Sequence, residues 1–92
     1  MSDLKAEFDA VVDKVRNAPA EGSFKPSNEV KLQMYALFRQ ATDGDVSGKR
    51  PGMLDPVGRF KYDAWAKMAG MSREDAMRKY IDAVAKIESE HG

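Results

Sequence analysis

The sequence contains no cysteine and only one histidine, His91, which lies next to the C-terminal residue. Without cysteine, a disulfide framework and a thiolate zinc site are both excluded. A histidine at the end of a chain is a poor general base, because a base must be held beside its substrate. Neither Ser47 nor Ser72 has a plausible base beside it in the sequence. We therefore expect no catalytic residues, no metal site and no cofactor, and we do not predict an enzyme.

The chain also lacks an excess of charge and a long apolar run. Its 15 lysines and arginines are balanced by 15 acidic residues, whereas proteins that bind nucleic acids usually carry a basic excess. No run approaches the roughly 18 apolar residues of a membrane span, and the N-terminus lacks the pattern of a signal peptide. The sequence predicts one cytoplasmic domain over residues 1–92, with no nucleic-acid partner and no stable membrane insertion.

Four segments have the apolar spacing of amphipathic helices. In the first, second and fourth, apolar residues recur three or four positions apart, which places one stripe against a common core. The stripes consist of Leu4, Phe8, Val11, Val12 and Val15 in the first segment, Val30, Met34, Leu37 and Ala41 in the second, and Met77, Ile81, Val84 and Ile87 or Glu88 in the fourth. No segment alternates with a period of two, as a half-buried strand would. We predict an all-α four-helix bundle.

Capping residues indicate where three of the helices begin. Ser27 is a favourable N-cap for the second helix, and Asp55 followed by Pro56 is typical of the start of a third. Ser72 has an acidic residue three positions later, which is the spacing of a capping box. The predicted helices span about residues 3–17, 27–41 and 56–68, with the fourth beginning at about residue 72.

The connection between the second and third helices, "TDGDVSGKRPGMLDP", resembles two ligand-binding motifs but satisfies neither. A calcium loop counted from Asp43 needs a bidentate glutamate at its twelfth position, and Leu54 stands there. A P-loop needs four residues between its glycines and a serine or threonine after its lysine. Here there are three residues between the glycines, and Arg50 follows the lysine. We predict neither a calcium site nor a phosphate loop.

This connection is long for a helix bundle, in which connections usually have about two to eight residues. Because it contains Met53 and Leu54, we expect these apolar side chains to pack it across the bundle as an ordered crossover. Asp43, Asp45 and Ser47 are interpreted as residues that form turns. Such a crossover would allow the second and third helices to be neighbours without being antiparallel.

The second helix has a further face that its core stripe does not explain. Lys31, Tyr35, Phe38 and Arg39 place two aromatic rings and two cations on one side of the helix. Rings can stack on a base and cations can hold a phosphate, so this face could bind a nucleotide. The alternative is an amphipathic boundary, with the rings half in the core and the charges in solvent. From this helix alone, the amphipathic boundary is the favoured interpretation.

The sequence predicts the degree of burial of two aromatic residues, one in the third helix and one in the fourth. We assign Trp65 to the core, because one large ring adds much apolar area to a small domain. Tyr80 is expected near the edge of the apolar stripe of the fourth helix, with a hydroxyl group that needs water or a partner.

Two segments, "YALFRQATDGDVSGKRPGMLDPVGRFKYDAW" and "MSREDAMRKYIDAV", closely resemble the acyl-CoA-binding proteins, small cytosolic carriers of fatty acyl-CoA thioesters. The similarity covers nearly the whole chain. It implies an up-down-down-up four-helix bundle with a long crossover loop between helices 2 and 3, in agreement with the crossover expected from the loop length.

The resemblance also implies a ligand and the residues that bind it. In the family, a Tyr-x-x-Tyr-Lys face of the second helix meets the adenine and the ribose 3′-phosphate. The residues implied to bind acyl-CoA here are Arg16, Tyr35, Ala36, Leu37, Phe38, Arg39, Lys61 and Tyr80.

Several positions depart from the family pattern. Phe38 replaces a tyrosine and cannot donate a hydroxyl hydrogen bond to the phosphate, whereas Arg39 replaces a lysine and keeps the charge. Val57 stands where a lysine is common, and Tyr62 stands where a tryptophan is usual. The segment "NAPAEGSF" lengthens the connection between the first two helices. The missing hydroxyl of Phe38 predicts weaker binding than a typical member shows, and Arg39 is expected to offset part of that loss.

The resemblance implies reversible binding of medium- to long-chain fatty acyl-CoA by an intracellular carrier and pool former that transports lipid and is not an enzyme. It also implies a monomer in transient contact with enzymes that use acyl-CoA. The alternative function is a helical protein-interaction module with weak or no ligand binding, which Phe38 and Val57 would favour.

Overall fold

The computed structural model describes residues 3–17 and 27–91, the last two of these by their backbone alone. These residues form four helices and no strand: α1 Leu4–Arg16, α2 Asn28–Asp43, α3 Pro56–Ala66 and α4 Arg73–His91. The all-α prediction is confirmed, and the predicted bounds of α1, α2 and α3 agree to within about two residues. The long segment between α1 and α2 lies largely outside the described residues. No helix in the described ranges is long and apolar enough to cross a membrane.

The predicted caps form at the starts of α2, α3 and α4. The Ser27 hydroxyl accepts a hydrogen bond from the Val30 amide at 3.2 Å, and the Asp55 carboxylate accepts one from the Gly58 amide at 3.0 Å. The Ser72 hydroxyl accepts a bond from the amide three residues later at 3.0 Å. Each cap satisfies an amide that has no partner inside its own helix.

Helices α2 and α3 run parallel to each other. Lys61 of α3 lies over the ring of Tyr35 in α2, and one turn later in both helices Trp65 lies under Arg39. Contacts that advance together along two helices require the same direction. The crossover therefore returns the chain to the starting end of α2, which the loop length allowed and the family resemblance implied.

The other helix pairs complete the up-down-down-up order. Phe8 of α1 contacts Tyr80 of α4, and Lys14 forms an ion pair with Glu88, so these two helices are also parallel. At the end of α2, the side-chain amide of Gln40 donates a hydrogen bond to the carbonyl of Met71, which lies two residues before α4 begins. The end of α2 is therefore next to the start of α4, and the two helices are antiparallel. The predicted topology is confirmed.

The core is apolar and lies between α1, α2 and α4. Its buried members are Phe8, Val12, Met34, Leu37, Ala41, Ala76, Tyr80, Val84 and Ile87. The stripes predicted for α1 and α2 belong to this core or pack against it, except for Leu4. In α4 the buried row runs through Ala76 and Tyr80, whereas the predicted Met77 and Ile81 are only partly buried. Tyr80 therefore lies within the core and not at its edge. The sequence favoured the row of Met77 and Ile81 because the small Ala76 gives the buried row a weaker apolar signal.

The prediction that Met53 and Leu54 pack the crossover against the bundle is wrong. Their side chains are 85% and 101% exposed. Polar contacts to α3 hold the loop instead. The Trp65 indole donates to the Gly44 carbonyl at 2.8 Å, and the Arg50 guanidinium donates two hydrogen bonds to the Asp63 carboxylate at 2.8 and 2.7 Å. The Tyr62 hydroxyl donates to a loop carbonyl, that of Gly48, at 3.1 Å.

Asp45 joins the start of the crossover to the start of α4. Its carboxylate accepts hydrogen bonds from the Gln40 side-chain amide at 2.8 Å and from the Gly70 backbone amide at 2.9 Å. These two bonds hold the pKa of Asp45 below its ordinary value, and the bond from Gly70 has the larger effect. Gly70 has a φ of +92°, a conformation that side chains with a Cβ rarely adopt. Asp45 is thus more than the turn-forming residue predicted from the sequence.

Candidate functional site

Two cations lie over aromatic rings where α2 and α3 face each other. The Nζ of Lys61 is 5.3 Å from the centroid of the Tyr35 ring. The guanidinium carbon of Arg39 is 4.6 Å from the Trp65 ring. Both distances are within the range of cation–π attraction. Tyr35 and Arg39 are four residues apart on α2, as are Lys61 and Trp65 on α3, so the two cation–ring pairs lie side by side along one face of α2.

Arg39 is held from two sides but keeps an unused donor. One terminal nitrogen forms an ion pair with Asp43 at 3.0 Å, in which both side chains are more than a third exposed. The Nε group is buried and has no hydrogen-bond partner within the described ranges. A donor left unpaired away from solvent is costly, so an acceptor that reached it would be favoured. The ion pair with Asp43 would have to compete with such an acceptor.

A third cation reaches the same face of α2 from the end of α1. The guanidinium carbon of Arg16 lies 6.0 Å from the Phe38 ring. Phe38 stacks on Phe8, with ring centroids 6.2 Å apart, and Phe8 meets Tyr80 edge-on at 5.2 Å. The rings thus connect the end of α1, the middle of α2 and α4.

The hydroxyl group of Tyr80 lies close enough to Arg16 to be affected by its charge. Burial raises the pKa of the Tyr80 phenol, and the positive charge of Arg16 partly opposes this shift. A phenol with a raised pKa stays protonated at neutral pH. It can therefore donate a hydrogen bond to an anion that Arg16 attracts.

The structure brings together most, but not all, of the site residues implied by the sequence. Tyr35, Phe38 and Arg39 are half-buried along α2, with Arg16, Lys61 and Tyr80 beside them on the other three helices. Ala36 and Leu37 are buried, and Leu37 belongs to the core. Their part as ligand contacts stays a prediction. Lys31, one turn before Tyr35, is exposed.

Three residues of this face were missed as site residues by the sequence analysis. Phe8 joins Phe38 to Tyr80, Trp65 is the ring beneath Arg39, and Asp43 is the ion-pair partner of Arg39. The i and i+4 spacing could have indicated the last pair. The contact between Arg39 and Trp65 depends on the parallel packing of α2 and α3 and leaves no local signal. Trp65 is buried, as predicted.

A shallow apolar groove of about 410 Å³ lies between α2 and α3 close to this face. Its apolar lining comes from Leu32, one turn before Tyr35, and from Phe60 and Ala64, which flank Lys61 in α3. Met68 lines it further along. In the described part of the chain, no three acidic or histidine side chains are grouped as a metal site would require.

The comparisons with known proteins indicate one family. A family model described as "Acyl CoA binding protein" matches residues 5–84. Acyl-CoA-binding domain-containing protein 5 of Xenopus tropicalis is 46% identical over 91 residues, which cover 95% of this chain and 20% of that protein. Human acyl-CoA-binding domain-containing protein 4 is 46% identical over 79 residues, covering 86% of this chain and 30% of that protein. The chain thus spans about a fifth to a third of these curated relatives.

Two solved structures have the same fold. A crystal structure of ACBP from Moniliophthora perniciosa superposes with a TM-score of 0.90 at 41% identity, covering 99% of this chain and 84% of that one. The structure of Oryza sativa Acyl-CoA-Binding Protein 2 gives a TM-score of 0.84 at 39% identity, covering 95% of this chain and 92% of that one. Since the family model spans most of the sequence and the fold agrees, this chain belongs to the acyl-CoA-binding protein family.

Proposed function

We propose that this chain binds medium- to long-chain fatty acyl-CoA thioesters reversibly and serves as an intracellular carrier and pool former for them. One observation carries the proposal: Arg16, Arg39 and Lys61, from three different helices, all lie over aromatic rings beside one face of α2. Coenzyme A combines an aromatic base with several phosphate charges. Rings that stack and cations that pair with phosphate are the groups that such a head group needs.

In this proposal the α2–α3 interface grips the nucleotide end of the ligand. Tyr35 offers its ring to the adenine, while Lys61 and Arg39 supply charge to the 3′-phosphate. The unpaired Nε–H of Arg39 supports this role, because it is a donor with no partner in the described part of the protein. Arg16 and the protonated Tyr80 hydroxyl offer a positive charge and a hydrogen-bond donor for a second phosphate group.

Phe38 defines what this site lacks relative to a tyrosine at the same position. Its ring stacks on Phe8 and carries no hydroxyl. A hydrogen bond to a charged group contributes about 1.5–3 kcal/mol, so a tyrosine hydroxyl that reached the phosphate would strengthen binding about tenfold or more. The planar guanidinium of Arg39 offsets part of this difference, because it can donate two parallel bonds where a lysine donates from a single point.

The apolar groove between α2 and α3 is suited to part of the acyl chain. It starts one turn from Tyr35 and is lined by Leu32, Phe60 and Ala64. Each methylene removed from water contributes about 0.8 kcal/mol before the costs of binding are subtracted. Affinity should therefore rise with chain length, while the cationic face discriminates against free fatty acids.

Binding of this kind removes a detergent-like thioester from water without breaking a bond. We propose that the chain is not an enzyme and acts as a cytoplasmic monomer that hands its ligand to acyl-CoA-using enzymes through transient contacts. This proposal concerns ligand binding by the present chain, which spans only a part of the longer relatives.

Isothermal titration with a long-chain acyl-CoA, free coenzyme A and the matching free fatty acid tests the proposal. We expect the acyl-CoA to bind most tightly, because only it engages both the cationic face and the groove. No measurable binding of acyl-CoA at micromolar protein would reject the carrier function in favour of an interaction module. Equal affinity for the free fatty acid would reject the assignment of Arg39 and Lys61 to the head group.

A further inference from the structure

Four large apolar side chains project into solvent at the start of α3. Met53 is 85% exposed, Leu54 101%, and Val57 and Phe60 are each 60% exposed. Val57 and Phe60 are three residues apart on α3 and share one side of the helix, while Met53 and Leu54 directly precede its cap. We call these four residues the α3 apolar patch. Single exposed apolar residues are ordinary, but a group of them on a soluble surface indicates a binding site.

The surroundings of the α3 apolar patch are cationic, although the whole chain has no net charge. Residues 49–67 contain five lysines and arginines against two aspartates. Both aspartates are already engaged: Asp55 caps α3 and Asp63 binds Arg50. Within the described part of the chain, the remaining cations of this segment take part in no ion pair; they are Lys49, Arg59, Lys61 and Lys67. The free charge beside the patch is therefore positive.

We propose that the α3 apolar patch docks on an anionic phospholipid surface, with Met53 and Leu54 entering the boundary between head groups and acyl chains and the neighbouring cations facing the lipid phosphates. Apolar side chains bordered by lysine and arginine are the pattern of proteins that lie on a membrane without crossing it. Docking of this kind involves four side chains and spans no bilayer.

The exposure of the patch favours lipid over a protein partner. The side chain of Leu54 is as exposed as it would be in an extended chain, so no surrounding groove of this protein shapes its contacts. Protein interfaces draw their affinity from anchors that fit shaped, desolvated pockets, whereas a lipid surface accepts a projecting side chain of any shape. The unpaired cations add an attraction that extends over about a Debye length.

Flotation of the full chain with vesicles tests the apolar part of the proposal. We expect the chain to float with vesicles of equimolar phosphatidylcholine and phosphatidylserine. The variant M53S/L54S should bind these vesicles at least about tenfold more weakly. M53L/L54M, which keeps both positions apolar, should bind like the unchanged chain. Both positions are exposed, so circular dichroism should show unchanged melting for each variant.

The charged part has its own variant and its own matched control. K49Q/R59Q removes two unpaired cations of this segment that line neither the α2–α3 groove nor the proposed head-group site, and we expect about tenfold weaker vesicle binding. K79Q/K86Q removes two exposed cations of α4 and should have a much smaller effect. Binding should also fall steeply as salt is added.

Three results would overturn the proposal: no flotation of the unchanged chain, which would favour a protein partner; undiminished flotation of M53S/L54S; or equal flotation with pure phosphatidylcholine. The proposal does not require acyl-CoA binding. M53S/L54S should still bind acyl-CoA in the absence of vesicles, so failure of the membrane proposal and failure of the carrier proposal would be distinguishable.

Discussion

The two parallel helix pairs of this bundle are held by different forces. Helices α1 and α4 meet through buried apolar side chains, among them Phe8, Val12, Val84 and Ile87. Helix α3, in contrast, has one buried residue, Trp65, and is joined to its neighbours by cation–ring pairs and by hydrogen bonds to the crossover. We therefore expect most of the stability to come from the apolar core between α1, α2 and α4. The α2–α3 half is left with cations, rings and exposed apolar groups for binding.

The largest expected effect comes from breaking the apolar half. Phe8→Ala removes a ring that is 2% exposed and contacts both Phe38 and Tyr80. We expect the free energy of unfolding to fall by about 3–5 kcal/mol, because the cavity adds to the lost burial. Urea denaturation measures this. Val57→Ala, at an exposed apolar position of α3, should change it by less than about 0.5 kcal/mol. Equal losses would contradict the division between the two halves.

A second experiment separates function from stability in the other half. Lys61→Ala removes an exposed cation that lies over Tyr35. We expect about tenfold weaker binding of acyl-CoA and a flatter salt dependence, since one charge-assisted contact is lost. The melting temperature should hardly change. Titration at several salt concentrations measures the effect, with Lys79→Ala on α4 as the matched control. Unchanged affinity would mean that Lys61 is only a solvated surface charge.

A third experiment uses acid to sharpen the comparison. Hydrogen bonds from Gly70 and Gln40 lower the pKa of Asp45, and the hydrogen-bonded Arg50 lowers that of Asp63. Because these folded pKa values lie below the unfolded value of about 3.9, the ionised groups stabilise the fold above that pH. The contribution is lost as the pH falls through the folded pKa values.

The crossover contacts should therefore account for part of the acid sensitivity of the protein. Thermal melts between neutral pH and about pH 3 should show a smaller acid-induced decrease for Asp45→Asn and Asp63→Asn than for the unchanged chain. Asp82→Asn, at an exposed position of α4, serves as the control. If all three variants lost stability in parallel with the unchanged chain, the two carboxylates would not be the groups that respond.

The smallest expected effect concerns the competition for Arg39. Asp43→Asn removes the carboxylate that pairs with the Arg39 guanidinium. If Arg39 binds the ligand phosphate, this change should strengthen acyl-CoA binding by about two- to threefold, since an exposed ion pair contributes less than about 1 kcal/mol. Titration of the variant beside Asp9→Asn, whose carboxylate pairs with Lys5, measures the difference. Weaker binding would show that Asp43 positions Arg39 for the ligand and does not compete for it.

The helices and their caps could be predicted because their signals are local. Ser27, Asp55 and Ser72 each act within one turn of their own position. The depth of a side chain depends on packing between helices and was predicted less well. Tyr80 was expected at the edge of the apolar stripe but is buried in the core, because the small Ala76 gives its row little apolar signal.

The contacts of the crossover show a different limit. Met53 and Leu54 are apolar, and composition alone cannot tell a side chain that packs inward from one that faces out to bind something else. The hydrogen bonds that do hold the loop connect residues far apart in the sequence, such as Gly44 and Trp65. Similarly, the spacing along α2 predicted the cationic face, but Trp65 could be placed beneath Arg39 only after the parallel direction of α3 was established.

The position of Trp65 also gives the molecule a built-in optical reporter. It is the only tryptophan in the chain, and its indole carries Arg39 on one face while its N–H binds the carbonyl of Gly44. Indole emission responds to a nearby charge and to the hydrogen bond on its nitrogen. A ligand phosphate that drew the guanidinium away from the ring would therefore shift the fluorescence of the unlabelled protein, so occupancy of this part of the bundle can be followed without attaching a probe.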